Sequence, residues 1–180
     1  MGKKTNIIFI FILALGAYAY PQSIREKTFD IIHAELGKDV KIESSKFTIP
    51  PEIKNKVEHE AGQAFYSDAV YIFKIAERDS VISIGILDNV YGKSLPMTFI
   101  VLYSTNGEVL STSVVKYREP YGGGVRLKSW NDQFKGKNSK SGFKIGKDID
   151  SISGATISVR SLTKGIKKLT LLFEVIKDNL

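Results

Sequence analysis

Four segments of β-branched and aromatic residues follow one another between positions 69 and 118, with only short links between them. They cover residues 70–76, 80–90, 97–103 and 108–118, and their composition is typical of strands. The Asn106-Gly107 pair before the last segment is the strongest short hairpin signal. Because tight links can join only antiparallel neighbours, the sequence predicts an antiparallel sheet.

Three helical patterns surround these strands. Residues 23–26 read Ser-Ile-Arg-Glu, a capping box, and the apolar spacing that follows predicts a helix ending at Gly37. Pro51 is suited to a first helical position, and Gly62 to the end of that second helix. Apolar residues recur at helical spacing from about 157 to 177. The predicted fold class is therefore α+β: an antiparallel sheet with helices packed on one side and a long C-terminal amphipathic helix.

The amino terminus has the pattern of a secretory signal. Lys3 and Lys4 precede an apolar run over 7–19 that ends in Ala-Tyr-Ala, and the run is shorter than the ~20 residues that span a bilayer. We predict a cleaved signal peptide at 1–19, with an uncleaved anchor as the alternative. Either alternative places the rest of the chain outside the cytoplasm, as a periplasmic or secreted protein. A helical segment at 20–68, with an extended connector at 46–51, and a main domain at 69–180 would follow.

Composition excludes several kinds of site. The 180 residues are 43% hydrophobic and 25% charged, which suits one globular domain rather than a disordered chain. No cysteine is present and there are only two histidines, so thiolate metal sites and disulfides are excluded and no metal site is expected. The net charge of +7 comes from scattered lysines, which favours a basic soluble surface over nucleic-acid binding. Any redox chemistry would need an organic cofactor.

The most informative segment reads Asp-Ser-Ile-Ser-Gly-Ala-Thr-Ile-Ser over 150–158. It leads into the last helix, and the small residues Ser153, Gly154 and Ala155 allow another group to approach the backbone closely. Thr156 lies near the helix start, where exposed amides and the helix dipole favour a phosphate, so its hydroxyl is well placed to become a phosphate ester. The alternative is that Thr156 or Ser153 simply caps the helix.

The chain resembles the FMN-binding domain family found in the C subunit of the sodium-translocating NADH:quinone reductase and the G subunit of the Rnf complex. The resemblance runs from about Asp88 to Gly165, and more loosely back to 59–63. Its pieces, in chain order, are Gly92-Lys93, Asn106-Gly107-Glu108, Tyr117-Arg118-Glu119-Pro120, Trp130, Gln133-Phe134, Gly136-Lys137 and Ile149 to Ser158. The last piece is similar to the family's flavinylation motif, and its distance from Gln133-Phe134 makes the likeness specific.

The resemblance implies a covalent cofactor. In this family FMN is joined through its phosphate to the motif threonine, which matches Thr156, by a magnesium-dependent flavin transferase that uses FAD as donor. Asp150 matches an acidic position needed by the transferase. The other candidate cofactor-binding residues are Ser153, Gly154, Ala155 and Ser158 around the phosphate, with Trp130, Gln133 and Tyr117 elsewhere. Trp130 and Tyr117 could line the isoalloxazine ring or could be core residues.

Two functions are consistent with these features. The first is an exported electron-transfer flavoprotein that relays electrons between membrane or exported redox partners. A tethered FMN suits this location because a dissociable cofactor would be lost by dilution. No acid–base pair is evident, so we predict no catalytic residue and expect a carrier or redox subunit rather than a stand-alone enzyme. The second is an extracytoplasmic binding module of the same fold that is never flavinylated.

Overall fold

The computed structural model describes residues 22–180, so the predicted signal peptide or anchor at 1–19 lies outside the described residues. In chain order the elements are α1 (Ile24–Leu36), β1 (Lys41–Thr48), α2 (Pro51–Ala61), β2 (Ala69–Glu77), β3 (Ser80–Tyr91), β4 (Pro96–Ser104), β5 (Val109–Lys116), α3 (Lys128–Asn131) and α4 (Thr156–Ile176). Short 3₁₀ turns lie at Gly123–Arg126, Asp132–Phe134 and Lys177–Asn179. None of the helices within 22–180 is long and apolar enough to cross a membrane.

The sheet is a five-stranded antiparallel meander in the order β1-β2-β3-β4-β5. The four predicted strands are confirmed within a few residues at each end. The predicted Asn106-Gly107 turn links β4 to β5, with Gly107 at a φ of 93° and its amide donating to the Ser104 carbonyl at 3.0 Å. Positive φ costs glycine little, which is why this turn is readable from sequence.

Strand β1 was not predicted. It pairs with β2 from Lys41 opposite Ala76 to Thr48 opposite Ala69, inside the segment expected to be helical with an extended connector. Most of its residues are polar and exposed. Its two large apolar residues, Ile42 and Phe47, are five positions apart and therefore lie on opposite faces of the strand. This edge strand shows no period-two pattern because it buries little, and its polar surface discourages pairing with other chains.

Both faces of the sheet are covered. Helices α2, α3 and α4 lie on one face, which we call the α4 face, over residues such as Ile86 and Val101. Helix α1 packs on the opposite face, the α1 face, over Phe73, Leu87 and Ile100. The α+β prediction is confirmed; its placement of helices on one side holds for α2 to α4, whereas α1 covers the other face. The central strands carry apolar residues on both sides, so both sides need cover.

The ends of the helices follow the sequence signals. Ser23 accepts from the Glu26 amide, and the Glu26 carboxylate accepts from the Ser23 amide, so the capping box of α1 is complete. Helix α2 begins with Pro51 and ends at Gly62, which is left-handed. Three lysine ammonium groups of α4 donate to carbonyl oxygens at or just beyond this end: Lys164 to Gly62, Lys167 to Glu60 and Lys168 to Ala64. Cations near a helix C-terminus stabilise its dipole.

One ion pair joins α4 to the sheet. The Lys168 ammonium lies 3.1 Å from the Asp88 carboxylate of β3, and both side chains are almost fully buried. Burial raises the pKa of Asp88 and lowers that of Lys168, against the pull of their mutual attraction. The ammonium also lies 4.4 Å from the centre of the Phe65 ring. The pair therefore links β3, α4 and the α2–β2 loop within the core.

Candidate functional site

Thr156 is the first residue of α4, and no side chain caps this helix. The N-cap position is Ala155, and neither Thr156 nor Ser153 makes a capping hydrogen bond. Thr156 is exposed, whereas Ala155 beside it is buried. The helix-cap interpretation of these two hydroxyl residues is therefore not what the structure shows. Thr156 is thus an exposed residue at the positive end of the longest helix in the described residues.

The backbone before Thr156 leaves room for a ligand. Gly154 has a φ of 74°, and a Cβ placed on it would meet no atom within 4 Å. The Ala155 amide donates to the Ile152 carbonyl at 3.1 Å, which closes a tight turn into the helix. The first turn of α4 contains no acidic residue. Its first amides lack intrahelical partners, and together with the dipole they favour an anion at this point.

A pocket of about 510 Å³ opens at this helix start. Three chain segments form its wall: the β3–β4 turn at 93–95, the segment after β5 at 119–122, and the motif at 154–158. Its apolar side includes Leu95, Tyr121 and Ile157, all well exposed. Its charged side chains are Lys93 and Glu119. The volume is within the range of small-molecule sites, and exposed apolar side chains beside an anion-favouring helix end suit an aromatic phosphate.

Glu119 holds the β3–β4 turn in place. Its carboxylate accepts hydrogen bonds from the amides of Leu95 at 2.8 Å and Ser94 at 2.5 Å, and these bonds lower its pKa below the ordinary value. A Cβ on Gly92 would stand 2.7 Å from the Glu119 carboxylate oxygen, so a side chain there would displace this carboxylate. Since Glu119 is itself an anion, Lys93 is the charged side chain of this pocket that can attract a phosphate.

Tyr117 connects the other two walls. Its hydroxyl lies 3.0 Å from the Ser158 hydroxyl and donates to the Tyr121 carbonyl. Ser158 is buried, and its contact with Tyr117 helps to hold the start of α4 in place. Gly122 has a φ of 78°, and a Cβ there would lie 3.0 Å from the Tyr117 hydroxyl and 3.1 Å from that of Ser158. The segment 121–122 is thus packed tightly onto the start of α4.

Trp130, Gln133 and Asp150 form a separate group. The Trp130 indole donates to the Asp150 carbonyl at 2.9 Å, the Gln133 amide oxygen accepts from the Asp150 amide at 2.7 Å, and the Gln133 amide donates to the Trp130 carbonyl at 3.1 Å. Trp130 is only 5% exposed and packs edge-on against Phe134. These contacts fix the backbone that leads into the motif. Neither Trp130 nor Gln133 lines the pocket, and the Trp130 ring occupies the core instead.

The structure therefore divides the sequence-predicted site residues. Gly154, Ala155, Thr156 and Ser158 lie in the pocket wall, and Tyr117 supports that wall from behind. Ser153 and Asp150 are exposed on the approach to it. Sequence reasoning used Gly92-Lys93 and Glu119-Pro120 only as landmarks of the resemblance, whereas the structure brings both into the site. No cluster of three or more metal-ligating side chains occurs within residues 22–180.

The pocket wall, from Lys93 to Ser158, lies entirely inside the region matched by a known family. The family model of the FMN-binding domain matches residues 92–170. This part of the chain is therefore similar to FMN-binding domains. Comparison with curated proteins gives no match. The matched region comprises β4, β5, α3 and most of α4. Helix α1, strand β1, helix α2 and strand β2, with β3 up to Tyr91, precede it.

The site fits FMN. The uncapped helix end and the open space at Gly154 suit its phosphate, and Lys93 adds a positive charge on the opposite wall. The apolar side chains at Leu95, Tyr121 and Ile157 suit its flat ring. FMN supplies reversible acceptance of one or two electrons when bound. The residues of this chain supply anchorage and orientation.

Proposed function

We propose that the protein is an exported electron-transfer flavoprotein that carries FMN through a phosphoester to Thr156 and relays electrons in a membrane-associated redox chain. The observation that carries this proposal is the exposed residue Thr156 at an uncapped helix start, in the wall of a pocket inside the region that matches the FMN-binding domain family. A threonine that served only as a helix cap would point its hydroxyl at the backbone amides.

Formation of the phosphoester needs only an accessible hydroxyl and a donor. Attack by the Thr156 oxygen on the FMN phosphorus of FAD would form the ester bond, break the phosphoanhydride and release AMP, while the hydroxyl proton passes to a base or to solvent. We propose that a magnesium-dependent flavin transferase assists this step. Asp150 is exposed six residues before Thr156, on a backbone clamped by Trp130 and Gln133, and is therefore suited to contact such an enzyme.

The surroundings of Thr156 suit a permanent ester. The ester keeps one negative charge on the phosphate, and the first amides of α4 and the Lys93 ammonium are the groups that would balance it. Tyr117 and Ser158 hold the helix start against the 121–122 segment, so the anchor point is fixed. A fixed anchor keeps the electron-carrying group in one position, so a docked partner meets it in a constant orientation.

The location and carrier role rest on the sequence. The apolar run at 7–19 with its Ala-Tyr-Ala end supports export, either as a cleaved signal or as an anchor. Covalent attachment suits an extracytoplasmic protein because a dissociable flavin would be lost there. The pocket contains no second titratable pair for acid–base chemistry beyond Lys93 and the amide-bound Glu119, which favours a carrier that exchanges electrons with membrane or exported redox proteins.

The attachment is tested by co-expression with a flavin transferase of known activity, followed by denaturation, flavin fluorescence on a gel and intact-mass measurement. Wild type should carry one FMN per chain. Thr156→Val should carry none, and Thr156→Ser should keep part of the signal because a hydroxyl remains. Thr105→Val is the matched control, since it makes the same change at an exposed threonine of the β4–β5 turn, outside the pocket lining, and should load normally.

Two outcomes would contradict the proposal. Wild type without flavin, beside a second substrate that the same transferase loads, would exclude covalent attachment and favour the unflavinylated binding module. Loading of Thr156→Val would place the ester elsewhere. The carrier role is tested separately, by mixing the reduced, loaded protein with a one-electron acceptor such as ferricyanide: flavin that stays reduced would contradict electron transfer even where the ester has formed.

A further inference from the structure

A second pocket, of about 660 Å³, lies on the α1 face of the sheet, opposite Thr156. We call it the α1-face groove and define it by six of its lining residues: Arg25, Tyr71, Phe73, Leu87, Asn89 and Arg118. It is bounded by the start of α1 on one side and by strands β1 to β4 beneath. Nothing in the FMN chemistry uses this groove, since the Thr156 pocket opens on other elements.

The floor of the groove is apolar and flat. Phe73 and Leu87 are buried side chains on neighbouring strands β2 and β3, and Tyr71, opposite Leu87 in the register, is 50% exposed. A half-exposed aromatic ring beside buried apolar side chains leaves a planar surface in contact with water. Such a surface favours a flat apolar ligand, which would cover it and stack on the ring.

One end of the groove is built from hydrogen-bond donors held in fixed positions. The Arg118 guanidinium donates to the Pro96 carbonyl at 2.7 Å and to the Thr98 hydroxyl at 3.1 Å. Thr98 in turn donates to the Asn89 amide oxygen at 2.7 Å. These contacts use one guanidinium nitrogen of Arg118. Its other N–H groups and the side-chain amide nitrogen of Asn89 can therefore donate hydrogen bonds to a ligand.

The charge in the groove has a single sign. Its charged lining residues are Arg25 and Arg118, and no acidic side chain lines it within residues 22–180. Neither arginine forms a salt bridge to an acidic side chain of the described chain. Arg25 lies over the Phe29 ring at 5.2 Å, which keeps its guanidinium near the groove. An anion is the ligand group that complements two arginines without a carboxylate partner.

We propose that the α1-face groove binds a flat, largely apolar molecule that carries one anionic group such as a carboxylate. The apolar body lies on Tyr71, Phe73 and Leu87, and the anion meets Arg118 and Arg25. This site is independent of the flavin: it uses a different face of the sheet and residues that, apart from Thr98 and Arg118, lie outside the FMN-binding domain.

The test uses 2-naphthoate as the probe and isothermal calorimetry on the purified full-length chain. We expect saturable binding at one site, and at least tenfold weaker binding of 2-naphthylmethanol, which has the same rings without the charge. Arg25→Gln should weaken naphthoate binding about tenfold, the usual effect of one charge-assisted contact. Lys27→Gln, on the same helix but outside the groove lining, is the matched control and should bind as wild type does.

A second pair of variants tests the position of the probe. Ser44 lines the groove on edge strand β1, so Ser44→Trp should fill it and abolish binding. Ser45→Trp places the same side chain on the opposite face of β1, opposite Ile72 of the α4 face, and should leave binding intact. Circular dichroism checks that each variant folds. Absence of saturable binding to wild type, equal binding of the uncharged probe, or binding that survives Ser44→Trp in the folded protein would each overturn the proposal.

Discussion

The hydroxyl of Tyr117, just after β5, lies 3.0 Å from the hydroxyl of Ser158 in the first turn of α4. The Tyr117 hydroxyl donates its proton to the Tyr121 carbonyl, so it accepts from Ser158. One phenol therefore joins the start of the helix that presents Thr156 to the segment that forms the facing wall. This connection fixes two of the pocket's three wall segments, and the amide bonds to Glu119 hold the third.

Replacement of Tyr117 by Phe should loosen the pocket. The variant loses two hydrogen bonds and leaves the buried Ser158 hydroxyl without this partner, which should lower the free energy of unfolding by about 1–3 kcal/mol. It should also slow flavin loading by the transferase, because the start of α4 is held less firmly. Urea unfolding and the initial rate of FMN incorporation measure the two effects. Tyr71→Phe is the control: this tyrosine is 50% exposed on the α1 face, away from the pocket, so its loss of a hydroxyl should change neither.

Gly122 should not tolerate a side chain, whereas its neighbour Gly123 should. Alanine at 122 would be forced into a φ of 78° and would press on the hydroxyls of Tyr117 and Ser158. The strain should cost roughly 1–2 kcal/mol of stability and slow flavin loading. At Gly123 the nearest atom to a new Cβ is 3.8 Å away, which is ordinary contact. Thermal unfolding of both variants tests this difference, and equal losses would contradict it.

Removal of the Lys168 charge should destabilise the protein strongly. Lys168→Met leaves Asp88 buried without its cation, which typically costs about 3–5 kcal/mol. The double variant Asp88→Leu/Lys168→Met removes both charges and should recover most of the loss. Lys164→Met is the control, because Lys164 is exposed and donates only to the Gly62 carbonyl. Urea unfolding measures all three, and a single variant as stable as the double would contradict the prediction.

Glu119 should make stability pH-dependent in acid. The amides of Leu95 and Ser94 lower its pKa in the folded protein below the ordinary 4.5, so the unfolded chain binds more protons in acid than the folded protein does. Its contribution is complete above 4.5 and is lost as the pH falls through the lowered value. Between about pH 5 and about pH 3 the wild type should therefore lose more stability than Glu119→Gln.

Urea midpoints across this range give the comparison for Glu119. Glu43→Gln is the control, because Glu43 is exposed on the edge strand β1. That variant should follow the wild-type curve. If Glu119→Gln does so as well, the amide bonds to Ser94 and Leu95 contribute nothing measurable to stability.

Much of the fold was readable because its signals are local. The capping box at Ser23 and Glu26, the glycine after α2 and the Asn106-Gly107 turn each act within a few residues of themselves. The central strands were predictable from sequence because they consist mainly of apolar side chains that the fold buries. Strand β1 was not predicted because an exposed edge strand buries few apolar side chains and so shows no alternating pattern. It is held by backbone hydrogen bonds to β2, and such bonds leave no signal in the residue types. The cover of α1 on the second sheet face was missed for a related reason, since period alone does not say where a helix packs.

The candidate site shows the same division. The sequence by itself determined the motif around Thr156, because small residues before a helix have a local meaning and the family resemblance concentrates there. Only the tertiary structure decided what faces that motif. Lys93 comes from the β3–β4 turn and Glu119 from the segment after β5. The Tyr117 hydroxyl contacts Ser158 across 41 positions of the chain, and Trp130 packs in the core rather than in the pocket. These outcomes depend on how strands register and how a long helix packs on them, which are contacts between residues far apart in sequence.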